Sequence, residues 1–200
     1  PPVNRPVTRD QTSVLGFGSS LVVGSSNYED GLTNGGWIRI YDLNRKVVGE
    51  SILGQESSTG PLAMGDIDGD GDLDLFVGGR SNAGRYPEPA TSLVMKNEGG
   101  RFVLSQRLEK VGMVSAAVFS DLDGDGKPEL ILACEWGPIL IYRNEGGNFQ
   151  PWNWPVTLAG ERPTLNSQPS TLNELTGWWN GVTTGDLDGD GRLDIVATNW

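Results

Sequence analysis

Three short segments concentrate oxygen donors at a regular spacing: Asp66–Asp74 (DIDGDGDLD), Asp121–Glu129 (DLDGDGKPE) and Asp186–Asp194 (DLDGDGRLD). In each, acids stand at positions 1, 3, 5 and 9 of the segment. Alternating carboxylates in a tight loop converge on one point, where they repel one another unless a cation sits between them. Hard oxygen donors in a flexible loop suit Ca²⁺, which takes about 6–8 oxygen ligands. Mg²⁺ retains more of its water and does not need so many carboxylates. Position 7 is Asp72, Lys127 or Arg192. A cationic side chain is no ligand, so this position is expected to contribute its backbone carbonyl. Gly71, Gly126 and Gly191 at position 6 permit the positive φ of such a turn.

The spacing predicts three calcium sites. Their side-chain ligands are Asp66, Asp68, Asp70 and Asp74; Asp121, Asp123, Asp125 and Glu129; and Asp186, Asp188, Asp190 and Asp194. The carbonyls of Asp72, Lys127 and Arg192 complete them. An EF-hand would also start this way, but it needs a glutamate at position 12 and flanking helices. Position 12 is Val77, Leu132 or Ala197, and the flanks are strand-like. The plain alternative is three acidic surface turns without metal; recurrence of all four acidic positions in every copy speaks against it.

The elements that must hold these loops repeat with them. The segments start at 66, 121 and 186, which are 55 and 65 residues apart. Before each comes a small-residue run (PLAMG, VSAAVFS, NGVTTG), and after each an apolar run (LDLFVGG, ELILACEW, LDIVATNW). In two copies further runs follow, at Ser92–Lys96 and Ile139–Arg143. These lead into the turns Asn97–Gly100 and Asn144–Gly147, and last strands begin at Phe102 and Phe149. Short β-branched and aromatic runs between glycine-rich turns read as strands.

The expected fold is therefore all-β: a β-propeller or partial propeller of four-stranded antiparallel blades, each with a calcium loop between its first and second strands. One such domain covers 1–200. Its blades lie at about 11–57, 61–110, 111–158 and 181–200, the last incomplete, with an inter-blade loop at 159–180 that includes a short helical turn near Thr171–Leu175. The first blade keeps the strands, as in Ile38–Tyr41, but has only Gly16–Ser20 where the acids belong, and should bind no metal. The apolar second strands, such as Leu130–Cys134, read as covered on both faces. Three full blades and part of a fourth imply remaining blades or domains of a longer chain. A closed four-bladed ring would need Val3–Thr8, with its prolines, to complete the last blade.

Composition bounds the function. The 200 residues carry 26 acids, 15 bases and no histidine, a net charge of −11. The three segments hold thirteen of the acids and two of the bases, so the rest of the chain is neutral. This charge argues against nucleic-acid binding, which requires a basic face. Lack of histidine removes Ser-His-Asp catalysis and histidine zinc sites. The single cysteine, Cys134, reads as a small core residue and forms no internal disulfide. No apolar run is long enough to span a membrane.

The loops GDIDGDGDLDLFVGG and GDLDGDGRLDIVATN resemble the FG-GAP and VCBS repeats, the calcium-binding blades of integrin α-subunits and of many large bacterial surface or secreted proteins. The resemblance covers about 14–158 and 181–200. The stretch Gly177–Val182 is similar to bacterial VCBS-repeat proteins that often end in an ASPIC/UnbV-type domain; no such terminal domain is present in this sequence. The resemblance assigns the family's side-chain ligands to the twelve acids named above. The second loop departs from it through Glu129 and the preceding Pro128. The longer carboxylate should still reach, and this loop ranks below the other two.

The resemblance implies an exported, cell-surface or periplasmic module, used for protein interaction or adhesion and stabilised by calcium. An alternative is a carbohydrate-binding propeller, lectin-like or accessory to a polysaccharide-active enzyme. Trp152, Trp154, Trp178 and Trp179 cluster near the long loop, and exposed indoles stack on sugar faces; inter-blade packing is the commoner fate of tryptophan. Exposure of Trp178 and Trp179 would favour the sugar reading, and burial between blades would oppose it. The expected partner is thus a protein or a glycan. Glu135, Glu161 and Glu174 lie outside the loops without the spacing of a catalytic pair, and no enzymatic activity is expected.

Overall fold

The computed structural model describes residues 9–28, 35–53, 55–158 and 170–200. Residues 3–8, 159–169 and Glu161, which figure in the expectations above, lie outside the described residues.

The described chain is antiparallel β-structure throughout. Strands β1 (Gln11–Phe17), β2 (Ser20–Ser25), β3 (Trp37–Asp42) and β4 (Val47–Leu53) form a four-stranded sheet in sequence order. A second meander follows: β5 (Thr59–Gly65), β6 (Asp74–Gly79), β7 (Ala90–Glu98), β8 (Arg101–Ser120), β9 (Glu129–Gly137), β10 (Ile139–Asn144) and β11 (Phe149–Pro151). Two short strands, β12 (Pro155–Val156) and β13 (Ser170–Thr171), pair with each other. A single 3-10 turn at Leu172–Glu174 leads to β14 (Gly177–Gly185) and β15 (Asp194–Asn199), which pair as a hairpin. Among the described residues no helix is long and apolar enough to cross a membrane.

The expected break at 110/111 falls inside one 20-residue strand. The chain bends there without leaving the sheet: Lys110 has φ +48 and Gly112 has φ +146. Before the bend β8 pairs with β7, and after it with β9. A Cβ on Gly112 would sit 2.8 Å from Cys134 Sγ, so glycine is needed for space as well as for backbone freedom. The strands thus fall into groups β1–β4, β5 to the first half of β8, the second half of β8 to β11, and β14–β15. The leading strand of each group packs beside that of the next, in a row β1, β5, β8, β14.

Alternation along the second strand of a group explains the core. In β6, Leu75 and Val77 face an apolar cluster with Val22 and Ile38 of the first sheet, whereas Phe76 faces a second cluster with Leu130, Leu132 and Cys134. In β9, Leu130, Leu132 and Cys134 point back to that cluster and Ile131 points forward to a third with Ile139, Ile141 and Leu172. Strands β6 and β9 are buried along almost their whole length, as expected for sheets covered on both faces. Cys134 is fully buried, and burial pushes its thiol up to about 12.

Candidate metal centres

Each acidic segment is the connection from the first to the second strand of its group: β5 to β6, β8 to β9, and β14 to β15. The same hydrogen bonds fold all three. The position-1 aspartate accepts the amide of the glycine at position 4, at 2.8 Å in Asp66, Asp121 and Asp186. Its other oxygen accepts the amide of the glycine at position 6, at 3.0, 2.9 and 3.0 Å. The position-5 carboxylate accepts the amide of position 7 at 2.8–2.9 Å, from Asp72, Lys127 and Arg192. The position-9 acid closes the loop onto the amide of position 2: Ile67 to Asp74 at 3.0 Å, Leu122 to Glu129 at 2.9 Å and Leu187 to Asp194 at 2.9 Å. Both glycines have positive φ, between 75 and 90°, in every loop. The requirement at position 6 follows from the sequence; the equal requirement at Gly69, Gly124 and Gly189 was signalled by the same repetition.

Oxygens within 4.8 Å of one another are contributed by Asp66, Asp68 and Asp70; by Asp121, Asp123 and Glu129; and by Asp186, Asp188 and Asp194. Asp74, Asp125 and Asp190 fall outside these triplets. Both oxygens of Asp74 are engaged by amides, those of Ile67 and of Asn97 (2.8 Å). The side chains of Asp72, Lys127 and Arg192 stand at exposed bends, and Lys127 and Arg192 lie 3.7 and 3.9 Å from Asp125 and Asp190.

Two cations that no sequence motif marks come from the third strand of a group. Lys96 Nζ lies 3.0 Å from Asp68, and Arg143 lies 2.8 Å from Asp123 while its guanidinium stacks 4.9 Å from the Trp152 ring. Each immediately precedes the turn asparagine, Asn97 or Asn144, that accepts the amide of Gly100 or Gly147 at 2.7 Å. The Lys96 ammonium holds the Asp68 carboxyl below its usual range, against a smaller opposing effect of desolvation. The second turn also reaches the preceding group, where Asn144 donates to the Ile67 carbonyl at 2.8 Å.

Burial raises the carboxyls of Asp74 and Glu129, against the amides that each accepts and with some help from neighbouring aspartates. The two differ in one respect. Glu129 is 0% exposed, and its Oε1 makes no hydrogen bond. The Asn144 amide lowers the Glu129 carboxyl somewhat without meeting hydrogen-bond geometry.

The tryptophans separate by face. Trp152 and Trp154 meet edge-to-face at 4.2 Å and, with Trp179, are half-buried against the Ile131–Ile139–Ile141 cluster. Trp178 points to the other side of β14 and is exposed, as strand alternation requires for neighbouring residues.

Residues 121–197 match the FG-GAP-like repeat family, a span that holds the second and third loops. A search of the curated proteins finds no match. Among solved structures the chain is similar to the crystal structure of the computationally designed Ika4 protein. The two share 12% identity at a TM-score of 0.54, over 97% of this chain and 94% of that one, a likeness of fold alone.

Proposed function

We propose that the chain is a calcium-stabilised β-propeller-type module of an exported or cell-surface protein, serving protein interaction or adhesion. The match to the FG-GAP-like repeat and the side-by-side row of leading strands support the propeller arrangement. The observation that carries the calcium reading is Glu129 Oε1: a fully buried carboxylate oxygen whose neighbouring Asn144 amide falls short of a hydrogen bond, in a residue grouped with Asp121 and Asp123. A buried carboxylate oxygen left without a hydrogen bond is costly, and a divalent cation would offset that cost while quenching the repulsion among its neighbours.

The residues present fit such an ion. Asp121, Asp123 and Glu129 would hold it in the second loop, with Asp125 and the Lys127 carbonyl available to complete the shell. The corresponding residues of the other loops are Asp66, Asp68, Asp70, Asp74 and Asp72, and Asp186, Asp188, Asp190, Asp194 and Arg192. Calcium so bound supplies charge compensation and ties the first hairpin of each group together. Sites of extracellular modules bind at about 10⁻⁴–10⁻³ M. On this reading the sites fill outside the cell and empty in the cytosol.

Equilibrium dialysis against radioactive calcium at millimolar concentration tests this reading. Three ions per chain are expected, two in Glu129→Gln, and little displacement by equimolar magnesium. No retained calcium, or equal competition by magnesium, would overturn it.

A further inference from the structure

At the end of the sheets away from the acidic loops, three strand groups bring large aromatic side chains to one place and leave them in water. Tyr86, in the connection from β6 to β7, is 50% exposed; Trp136, near the end of β9, is 59% exposed; Trp178, at the start of β14, is 42% exposed. Seven residues of extended chain, roughly 23 Å, separate Trp136 from Glu129 at the metal end of the same strand.

The arrangement is built and held. Strand β9 pairs with β14 at Gly137–Gly177 and Glu135–Trp178, which brings the two indoles to 5.0 Å between centroids with planes tilted by 32°. The Trp136 indole donates to the Tyr86 hydroxyl at 2.6 Å, and that hydroxyl donates to Glu135 Oε1 at 2.7 Å. The other Glu135 oxygen is ion-paired with Arg80. Asn199 Oδ1 accepts the Trp178 amide at 3.0 Å. Trp136 has φ +55, a left-handed conformation unfavourable for a bulky residue, sustained by these contacts. Strained positions held by their surroundings concentrate at functional sites.

The chemistry left on offer is specific. The polar tips of Tyr86 and Trp136 are spent inside the network, so what faces outward is ring surface. Glu135 and Arg80 neutralise each other, and Arg85 beside Tyr86 is paired with Glu88 and Glu56, so these charges among the described residues are engaged with one another rather than left for an ionic ligand. Arg80 and Arg85, the basic side chains beside these aromatics, are both paired with carboxylates, so they offer little to a phosphate backbone even though nucleobases also stack on aromatics. A neutral pyranose fits: its C–H face is flat and apolar, and its hydroxyl rim stays in water or reaches the polar edge at Asn180 and Asn199. We propose that Tyr86, Trp136 and Trp178 form a platform that binds a neutral polysaccharide. The platform is independent of the metal loops and gives the interaction module a glycan ligand.

Affinity electrophoresis in saturating calcium tests it. The gels contain hydroxyethylcellulose, glycol chitin, arabinoxylan, amylopectin or dextran. At least one should retard the native protein. Trp136→Ala and Trp178→Ala should each weaken that retardation about tenfold or more, as expected for an aromatic anchor. Tyr86→Phe keeps the ring but frees the Trp136 indole, and should weaken it less. Val14→Ala, an exposed apolar side chain on β1, should leave it unchanged. Each variant should keep the calcium-dependent melting behaviour of the native protein, so loss of the platform and failure of the calcium reading are separable. Quenching of native tryptophan fluorescence by oligosaccharides of the retarding polymer gives a second readout that needs no variant. No retardation by any polymer, or unaltered retardation in both tryptophan variants, would overturn the proposal. So would binding of a hydrophobic dye, lost in the double variant, without any response to polysaccharide; that result would assign the patch to protein contact.

Discussion

The second and third acidic loops fold alike, yet the strands that leave them stand in different surroundings. Asp121 and Asp186 accept the position-4 amide at the same 2.8 Å and the position-5 amide at the same 3.1 Å, and Glu129 and Asp194 both accept the position-2 amide at 2.9 Å. Strand β9, which follows the second loop, is packed between neighbours on both faces. Strand β15, which follows the third, pairs only with β14 among the described residues and is largely open to solvent. The loop shape is thus a local property, set by side chain-to-amide bonds within nine residues. The burial of the position-9 acid, and with it the orphaned oxygen of Glu129, comes from the neighbouring sheets. On the proposed calcium reading, a metal would therefore matter more to folding at the second loop than at the third.

Equivalent substitutions in the two copies can break or sharpen this contrast. The largest difference is expected at position 11. Ile131→Ala removes a fully buried side chain and should cost about 2–5 kcal/mol, whereas Val196→Ala, at 38% exposure, should stay within about 0.5 kcal/mol. Chemical unfolding in saturating calcium measures both. Equal costs would mean that β15 is as well packed as β9.

A change of sign is expected at position 9. In chelator, Glu129→Gln removes a buried charge with one oxygen left without a hydrogen bond and should leave stability unchanged or raise it, by up to about 1–3 kcal/mol. In calcium the same variant should be destabilised relative to the native chain. Asp194→Asn should lose its calcium response but change little in chelator. Thermal melts of the four combinations decide this, and destabilisation by Glu129→Gln in chelator would contradict it.

The smallest effects should be equal in the two loops. Gly126 and Gly191 have φ of 84 and 85°, and nothing lies within 4 Å of an added Cβ in either. Alanine at either position should cost about 1–2 kcal/mol through backbone strain alone. A markedly larger cost at Gly126 would show that packing, and not only the local turn, shapes the second loop.

Much of this was written in the sequence because it is local or periodic. Acid spacing and the glycines specify the loop, and the alternating apolar residues of LDLFVGG and ELILACEW specify strands with two buried faces. What escaped depends on pairs distant in sequence. Lys96 and Arg143 carry no motif of their own; cross-strand register places them on Asp68 and Asp123. On spacing alone Glu129 looks like the weaker variant of a ligand, because burial of its Oε1 is a property of the packed sheets. The bend at Lys110–Gly112 keeps its ladder, so no turn signal marks it. The tryptophans near the long loop look like one group, but strand alternation sends Trp178 outward to Trp136 and turns Trp179 inward.

The central claim is that calcium staples these loops and so holds the sheets together. The most direct measurement is a thermal melt of the native chain in millimolar calcium and in excess EGTA. Linkage predicts a clear rise in melting temperature with calcium, since each site held at about one to ten times its dissociation constant adds about 0.4–1.4 kcal/mol. Superimposed curves would contradict the account.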